Sequence, residues 1–243
     1  MRIPRIYTEQ ALASNTELEL EEAPSHHLIK VLRMAVGRSL ILFNGQGGHY
    51  DAEIIASTKK YATVKITQWH QQDNESPLNT TLAIGLSRGE RFDLVLQKAT
   101  ELGVTSIQPM FTERTEVKLS GDRLNKKFLS WQKIIIAACE QSGRNILPTL
   151  KSPIHIQDYF TQERDQQQLK LVLHHRNSSR FSELEKTDDI CLLIGPEGGL
   201  SQDEIDLAHK HDFKNLSLGP RVLRTETAPL AALAIMQQCW GDF

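Results

Sequence analysis

Residues 191–205, CLLIGPEGGLSQDEI, and residues 216–240, LSLGPRVLRTETAPLAALAIMQQCW, share one plan. In each, a short apolar run (191–194 and 216–218) stops at glycine, a turn-rich segment follows, and a helical pattern begins. A strand that ends at glycine and hands over to a helix is the usual build of a ligand crevice in an open α/β sheet. Glycine lets the backbone approach a bound molecule, and a helix start presents N–H groups that lack an intrahelical partner. Two such edges so close in sequence predict a single pocket, fed by the rest of the chain.

The two edges differ in chemistry. In the first, Gly195-Pro196-Glu197-Gly198-Gly199 precedes Ser201 and Glu204, whose spacing fits a capping box and sets a helix start near Ser201. The loop lacks GxxxxGK[ST] and GxGxxG, so it is neither a phosphate loop nor a dinucleotide fingerprint. Glu197 within it would repel a bare triphosphate and suits a ligand with hydroxyls or positive charge. In the second edge LSLG reads as a short strand. Arg221, Arg224 and Glu226 then crowd into six residues before the apolar helix APLAALAIMQQCW, with Pro229 in its first turn. A cation and a carboxylate held together there suit a reacting centre.

Working outward, the 243 residues suffice for one large domain or two smaller ones. Hydrophobic residues at 40% and charged ones at 24% are ordinary for a globular protein, and a net charge of −2 argues against binding nucleic acid by bulk charge alone. No run approaches the ~18 apolar residues of a transmembrane helix, and MRIPRIYTEQ has no apolar signal core, so a cytoplasmic protein is expected. Cys139, Cys191 and Cys239 lie far apart in apolar contexts, predicting buried reduced thiols, and no cysteine/histidine spacing fits zinc.

Residues 1–70 read as a small β-rich unit. Strands are expected at 2–7 and 39–44, with NGQGG (44–48) turning the chain into HYDAEIIAST as a hairpin. In 61–69, Ala62, Val64 and Ile66 alternate with Thr63, Lys65 and Thr67, which predicts a strand with one buried face. Residues 23–37 read as a helix ended by Gly37, burying Leu28, Leu32 and either Val31 or Ala35. Arg2, Arg5, His26, His27, Lys30, Arg33 and Arg38 gather in this unit and suit an RNA backbone, although acidic residues balance them. His26 and His27 are adjacent and point apart on a helix, a poor metal pair. QQDNESP (71–77) reads as a linker.

The second part opens on a βαβ unit: the strand TLAIGLS, the helix ERFDLVLQKATELG with Phe92, Val95, Leu96, Ala99 and Leu102 on one face, and the strand VTSIQPMF. Arg88 and Arg91 lie where strand meets helix, within reach of a phosphate. A long helix follows over 123–143, with Phe128, Trp131, Ile135 and Ala138 turned to the core, and Arg144 and Asn145 exposed beyond its end. LKLVLHH (169–175) reads as a buried strand whose polar end, His174, His175 and Arg176, offers a third wall for the pocket.

With these residues in place, the chain resembles the small-subunit ribosomal RNA uridine-N3 methyltransferases of the RsmE type, in the SPOUT superfamily. LLIGPEGGLSQDEI together with LGPRVLRTETA carries the resemblance, and RIPRIY, HHLIKVLRM, DAEI, SRGERFDLVLQKATELGV, LNKKFLSWQKIIIAACEQSGR and LVLHHR extend it over most of the chain. At 174–176 the chain has His-His-Arg where the family pattern has His-Pro-Arg. The resemblance implies an α/β fold: a SPOUT methyltransferase domain with a C-terminal trefoil knot over 73–243, preceded by a PUA-like RNA-binding β-barrel domain over 1–72. It implies S-adenosylmethionine as cofactor, small-subunit (16S) ribosomal RNA as substrate within the assembled subunit, and a homodimer with no role for membrane, DNA or metal.

Carried onto this chain, the resemblance places the cofactor against Leu173 and His174, against Ile194, Gly195, Pro196, Glu197 and Gly198, and against Leu218, Gly219, Val222, Leu223, Thr225 and Ala228. The N3 of uridine is a poor nucleophile while protonated, so Arg224 is assigned to stabilise the anion and Glu226 to act as base or orienter. Arg5, His26, Lys30, Arg33, Arg88 and Arg91 are the RNA-contacting candidates. A non-catalytic RNA-binding assembly factor of the same fold is the competing expectation.

Overall fold

The computed structural model describes residues 3–72, 74–162, 168–174, 179 and 181–243. Its contacts divide the chain into two compact units, Met1–Glu75 with Ile136–Leu147 and Ser76–Ile135 with Pro148–Phe243.

The first unit contains β1 (Arg5–Tyr7), β2 (Thr16–Glu19), α1 (Glu22–His26), β3 (Ser39–Phe43), β4 (His49–Ser57) and β5 (Ala62–His70). They form one mixed sheet in the order β1-β3-β4-β5-β2, with β1 parallel to β3 and the other pairs antiparallel. The expected hairpin joins β3 to β4. Ala62, Val64 and Ile66 are fully buried, as their alternation predicts, and pack with Ile6, Leu28 and Ile54. β2 has no place in the sequence reading. Its TELE sequence is polar because it is an edge strand, paired among the described residues with β5 alone and burying little. The first strand starts at Arg5, and Arg2 lies outside the described residues.

Four expectations are corrected here. The helix expected to run to Gly37 instead continues α1 as a wider π turn, His27–Val31, and stops. Arg33 adopts a left-handed φ of 51°, and the Met34 N–H bonds Leu28 O at 3.0 Å, so Arg33 takes the terminating position foreseen for Gly37. Leu28 is buried, whereas Val31, Leu32 and Ala35 are exposed. Arg144 and Asn145 are not exposed. They retain 3% and 1% exposure, because Glu75 accepts Arg144 Nε at 2.9 Å and Nη2 at 2.6 Å, and the N–H groups of Asn145 and Ile146. The division between the two units falls between Glu75 and Ser76, inside the 71–77 stretch read as a linker, and Glu75 itself is held by these bonds. Of the three thiols, Cys139 and Cys191 are buried and Cys239 is exposed, on the outer side of the last helix.

The second unit runs β6 (Asn79–Gly85), α2 (Glu90–Glu101), β7 (Ser106–Phe111), α3 (Gly121–Ser142, whose last turns count with the first unit), β8 (Thr149–Leu150), β9 (Ile154–His155), α4 (Ile156–Thr161), β10 (Leu169–Leu173), β11 (Asp189–Ile194), α5 (Gln202–Lys210), β12 (Lys214–Leu216) and α6 (Thr227–Trp240). Its described strands form a parallel sheet ordered β12-β10-β11-β6-β7-β8, with β9 beside β7. The predicted βαβ unit is β6-α2-β7, and α2 buries Phe92, Val95, Leu96 and Ala99. Trp131 of α3 is core: its ring packs on Phe92 and its Nε1–H donates to Asp93.

One strand lies earlier than predicted. LSLG was expected, and the strand is KNL, because β12 pairs with β10 in the register Leu171↔Lys214 to Leu173↔Leu216 and β10 ends there. β11 and β12 are consecutive in the chain, yet β10 lies between them. The carboxyl ends of all three strands meet at one edge, which is where an open parallel sheet takes its ligand. Among the described residues no helix is long and apolar enough to cross a membrane.

Candidate functional site

A cleft of about 370 Å³ opens at that edge, within the size range of small-molecule sites. The end of β10 contributes Leu173 and His174, and β11 contributes Ile194 followed by Gly195, Pro196, Glu197 and Gly198. Leu218, Gly219, Val222, Leu223, Thr225 and Ala228 close it from the segment after β12 and the start of α6. All thirteen residues singled out for the cofactor thus line one cavity. His175 and Arg176 lie outside the described residues.

The 195–199 loop is held by packing as well as by its helix. A Cβ on Gly195 would lie 2.7 Å from the backbone of Gly199 and Leu200, and one on Gly85 would lie 2.5 Å from the Pro196 ring. Neither position accepts a side chain without moving backbone. Ser201 caps α5 in a full capping box with Glu204, as its spacing predicts. Glu204 is 3% exposed, and its other oxygen accepts the N–H of Glu113 at 2.8 Å. That bond anchors the β7–α3 connection, whose Arg114 donates Nη1–H to Gly198 O at 2.8 Å and lines the cleft.

Arg114 escaped the sequence reading. It sits in the polar run TERTEVK, and no local pattern marks it; only the folded chain sets it against a loop 84 residues away. Gly199, Leu200, Ile205, Leu216, Ser217 and Arg221 complete the lining. Of these, Arg221 had the visible signal of its crowding with Arg224 and Glu226.

Glu197 faces the β6–α2 junction. Its Oε1 accepts the backbone N–H of Arg88 at 2.9 Å and Nη1–H of Arg91 at 3.2 Å. Burial pushes its carboxyl up, but the bonds from the Arg88 N–H, its own N–H and Arg91 outweigh this and hold it below the ordinary carboxylate value. The Arg88 side chain pairs instead with Glu116 at 2.9 Å, both partners well exposed.

Arg224 and Glu226 are not among the residues lining the cleft. Arg224 is exposed, and its carbonyl accepts the N–H groups of Thr227 and Ala228 at 2.9 Å, forming the turn into α6. Glu226 stands at the N-cap without capping the helix, and its Oε2 is buried with no hydrogen-bond partner among the described residues. A buried carboxylate oxygen without a donor is an acceptor awaiting one. In the first unit, Arg5 donates to Asn145 and stacks over Phe43, while His26, Lys30 and Arg33 are exposed.

The fold and cleft define the class. Residues 74–237 match the RNA methyltransferase domain family, and residues 20–67 match the RNA methyltransferase PUA domain, so this is an α/β RNA-methyltransferase fold behind a PUA-like N-terminal domain. The chain is 34% identical over 243 residues to the ribosomal RNA small subunit methyltransferase E of Buchnera aphidicola subsp. Acyrthosiphon pisum, covering all of this chain and 96% of the relative. Against its Bacillus subtilis counterpart it is 32% identical, covering 90% and 92%. The chain belongs to the ribosomal RNA small subunit methyltransferase E family. Two solved structures match it along the full length of both chains with a TM-score of 0.96: a putative methyltransferase from Legionella pneumophila with bound SAM, at 42% identity, and the Neisseria gonorrhoeae ribosomal RNA small subunit methyltransferase E bound to S-adenosyl methionine, at 38%.

Proposed function

We propose that this chain is an S-adenosylmethionine-dependent methyltransferase acting on N3 of a uridine in small-subunit (16S) ribosomal RNA. The observation that carries the reading is the convergence of the ends of β10, β11 and β12 on one glycine-walled cleft. The residues suit the cofactor. Gly195 and Gly85 keep the backbone close-packed where a Cβ would intrude, apolar Leu173, Ile194 and Leu218 can face an adenine ring, and loop backbone can bond its polar edge. The bound cofactor supplies an electrophilic methyl carbon.

The remaining work falls to the chain's own residues. Glu226 takes the N3 proton or orients the base, a role for which its unpartnered buried oxygen is suited. Arg224 donates to the uridine oxygens as negative charge develops on them. Arg88 steadies a target phosphate. Its pair with Glu116 is solvent-exposed and worth at most about 1 kcal/mol, so a phosphate can displace it. Residues 1–72 form the RNA-handling domain, with Arg5, His26, Lys30 and Arg33 along the RNA backbone, and 73–243 the methyltransferase domain. We place the enzyme in the cytoplasm as a homodimer acting on the assembled small subunit. Val222, an apolar side chain 96% exposed beside the cleft, suits a partner's surface.

The test is incubation with methyl-labelled S-adenosylmethionine and small ribosomal subunits, followed by nucleoside mass spectrometry. N3-methyluridine is expected. Its absence, with the cofactor still bound in a calorimetric titration, would overturn the catalytic reading in favour of an assembly factor.

A further inference from the structure

We propose that His49, Asp51 and His70 form a binding site for a divalent transition-metal ion, with Zn(II) the leading candidate. The three ligating atoms lie within 4.8 Å of one another. His49 and His70 are direct partners in the β4–β5 register, and their rings stack at 5.0 Å and 22°. Asp51 follows His49 by two residues and so shares its face of β4. Between Tyr50 and Ala52 the register shifts, setting Asp51 against both Thr67 and Gln68. Such a bulge re-aims nearby side chains, and here His70 Nε2 lies 2.8 Å from Asp51 Oδ2.

Hydrogen bonding leaves part of the cluster unexplained. A backbone hydrogen bond at Gln72 holds the His49 ring, and its Nδ1 is buried with no hydrogen-bond partner among the described residues. Buried ring nitrogens are normally bonded or metal-bound. Two imidazoles and one carboxylate are the donors that borderline divalent ions take, whereas magnesium and calcium require oxygen-rich cages. Donors about 2.0–2.1 Å from Zn(II) stand roughly 3.3 Å apart in a tetrahedron. One pair stands 2.8 Å apart and all three ligating atoms lie within 4.8 Å of one another, close enough for small side-chain rotations to bring them round one ion. All three residues are half-buried, which leaves an approach from solvent and a fourth position for water. The charge of Arg5 faces His49 and opposes a cation, although the guanidinium is itself held by Asn145 and Phe43. The expected affinity is therefore about micromolar instead of the far tighter binding of a closed structural site. A bound ion would tie the start of β4 to the end of β5.

The experiment uses full-length protein freed of metal by a chelator, in a Cys239→Ser background because that thiol is exposed. Zn(II) is titrated calorimetrically, and Co(II) is followed by its visible absorption. One equivalent should bind, with affinity falling about tenfold or more in each of His49→Ala, His70→Ala and Asp51→Asn. Zn(II) should raise the Tm of the parent and not of the variants. Asp51→Asn preserves side-chain shape, so its loss of binding with an unchanged metal-free Tm cannot be ascribed to misfolding. No saturable binding near one equivalent, or equal affinity in parent and His49→Ala, would overturn the site.

Discussion

The carboxylate of Glu204 accepts the backbone N–H of Glu113 across 91 residues of chain, while its other oxygen closes the capping box on Ser201 at 2.9 Å. One buried side chain thereby sets the start of α5 and the loop that carries Arg114. Glu204→Ala leaves two N–H groups without an acceptor and should cost ~2–4 kcal/mol. Denaturant unfolding measures the loss, and a calorimetric titration should show cofactor affinity falling with it. A loss below 1 kcal/mol would remove Glu204 from this role.

Arg114 reaches the cleft through the carbonyl of Gly198. Arg114→Ala should lower S-adenosylmethionine affinity by about five- to tenfold, the equivalent of ~1–1.4 kcal/mol. Because the side chain is exposed, the unfolding free energy should move by less than ~0.5 kcal/mol. Unchanged affinity would mean that the bond is incidental to the loop.

Glu197 provides a pH test. Its folded-state carboxyl is held below its ordinary value of 4.5, so the unfolded chain takes up its proton first as pH falls. The stabilisation is fully present above the unfolded value and is lost as pH drops through the folded one. Between pH 6 and pH 3 the parent should lose more unfolding free energy than Glu197→Gln, whose amide does not titrate. Parallel curves for the two proteins would contradict this.

Arg144 is paired with Glu75 in a nearly dry setting. Arg144→Ala removes the cation from Glu75, which keeps the Asn145 and Ile146 N–H groups, and should destabilise the protein by about 1.5–3 kcal/mol. Exchanging both residues for apolar ones should cost less than the sum of the two single changes. Chemical unfolding of the three variants decides it, and additive losses would show that the pair is not coupled.

For the reaction itself, Arg224→Ala and Glu226→Gln should each lower kcat by about 10²-fold or more with cofactor affinity unchanged, since neither lines the cleft. Single-turnover rates with small subunits, set beside calorimetric affinities, separate the two effects. Near-normal turnover in either variant removes that residue from the chemistry.

Much of the molecule was legible in the chain. Alternation at 62–67, the NGQGG turn, the periodicity of α2, the Ser201–Glu204 box and the glycine stop after β11 act within a few residues, where backbone sterics and a single buried face decide the outcome. Where local signals competed, the reading slipped. Gly37 suggested a helix end that Arg33 takes, and a polar edge strand, β2, carried no alternation to see.

The sequence by itself determined the longer strands and helices, the 195–199 glycine loop and, through the combined motifs, the family. Through that resemblance it also nominated thirteen residues that line the cleft, while Arg114 and others of the lining went unmarked. Only the tertiary structure decided that β10 lies between β11 and β12, that Glu75 buries Arg144, that Arg114 closes on Gly198, and that His49, Asp51 and His70 meet. Most of those relations join groups far apart in the chain, 19 residues for Asp51 and His70 and 84 for Arg114 and Gly198. They depend on strand order, register and burial, which are set by the packing of the whole unit and leave no mark in any short window of sequence.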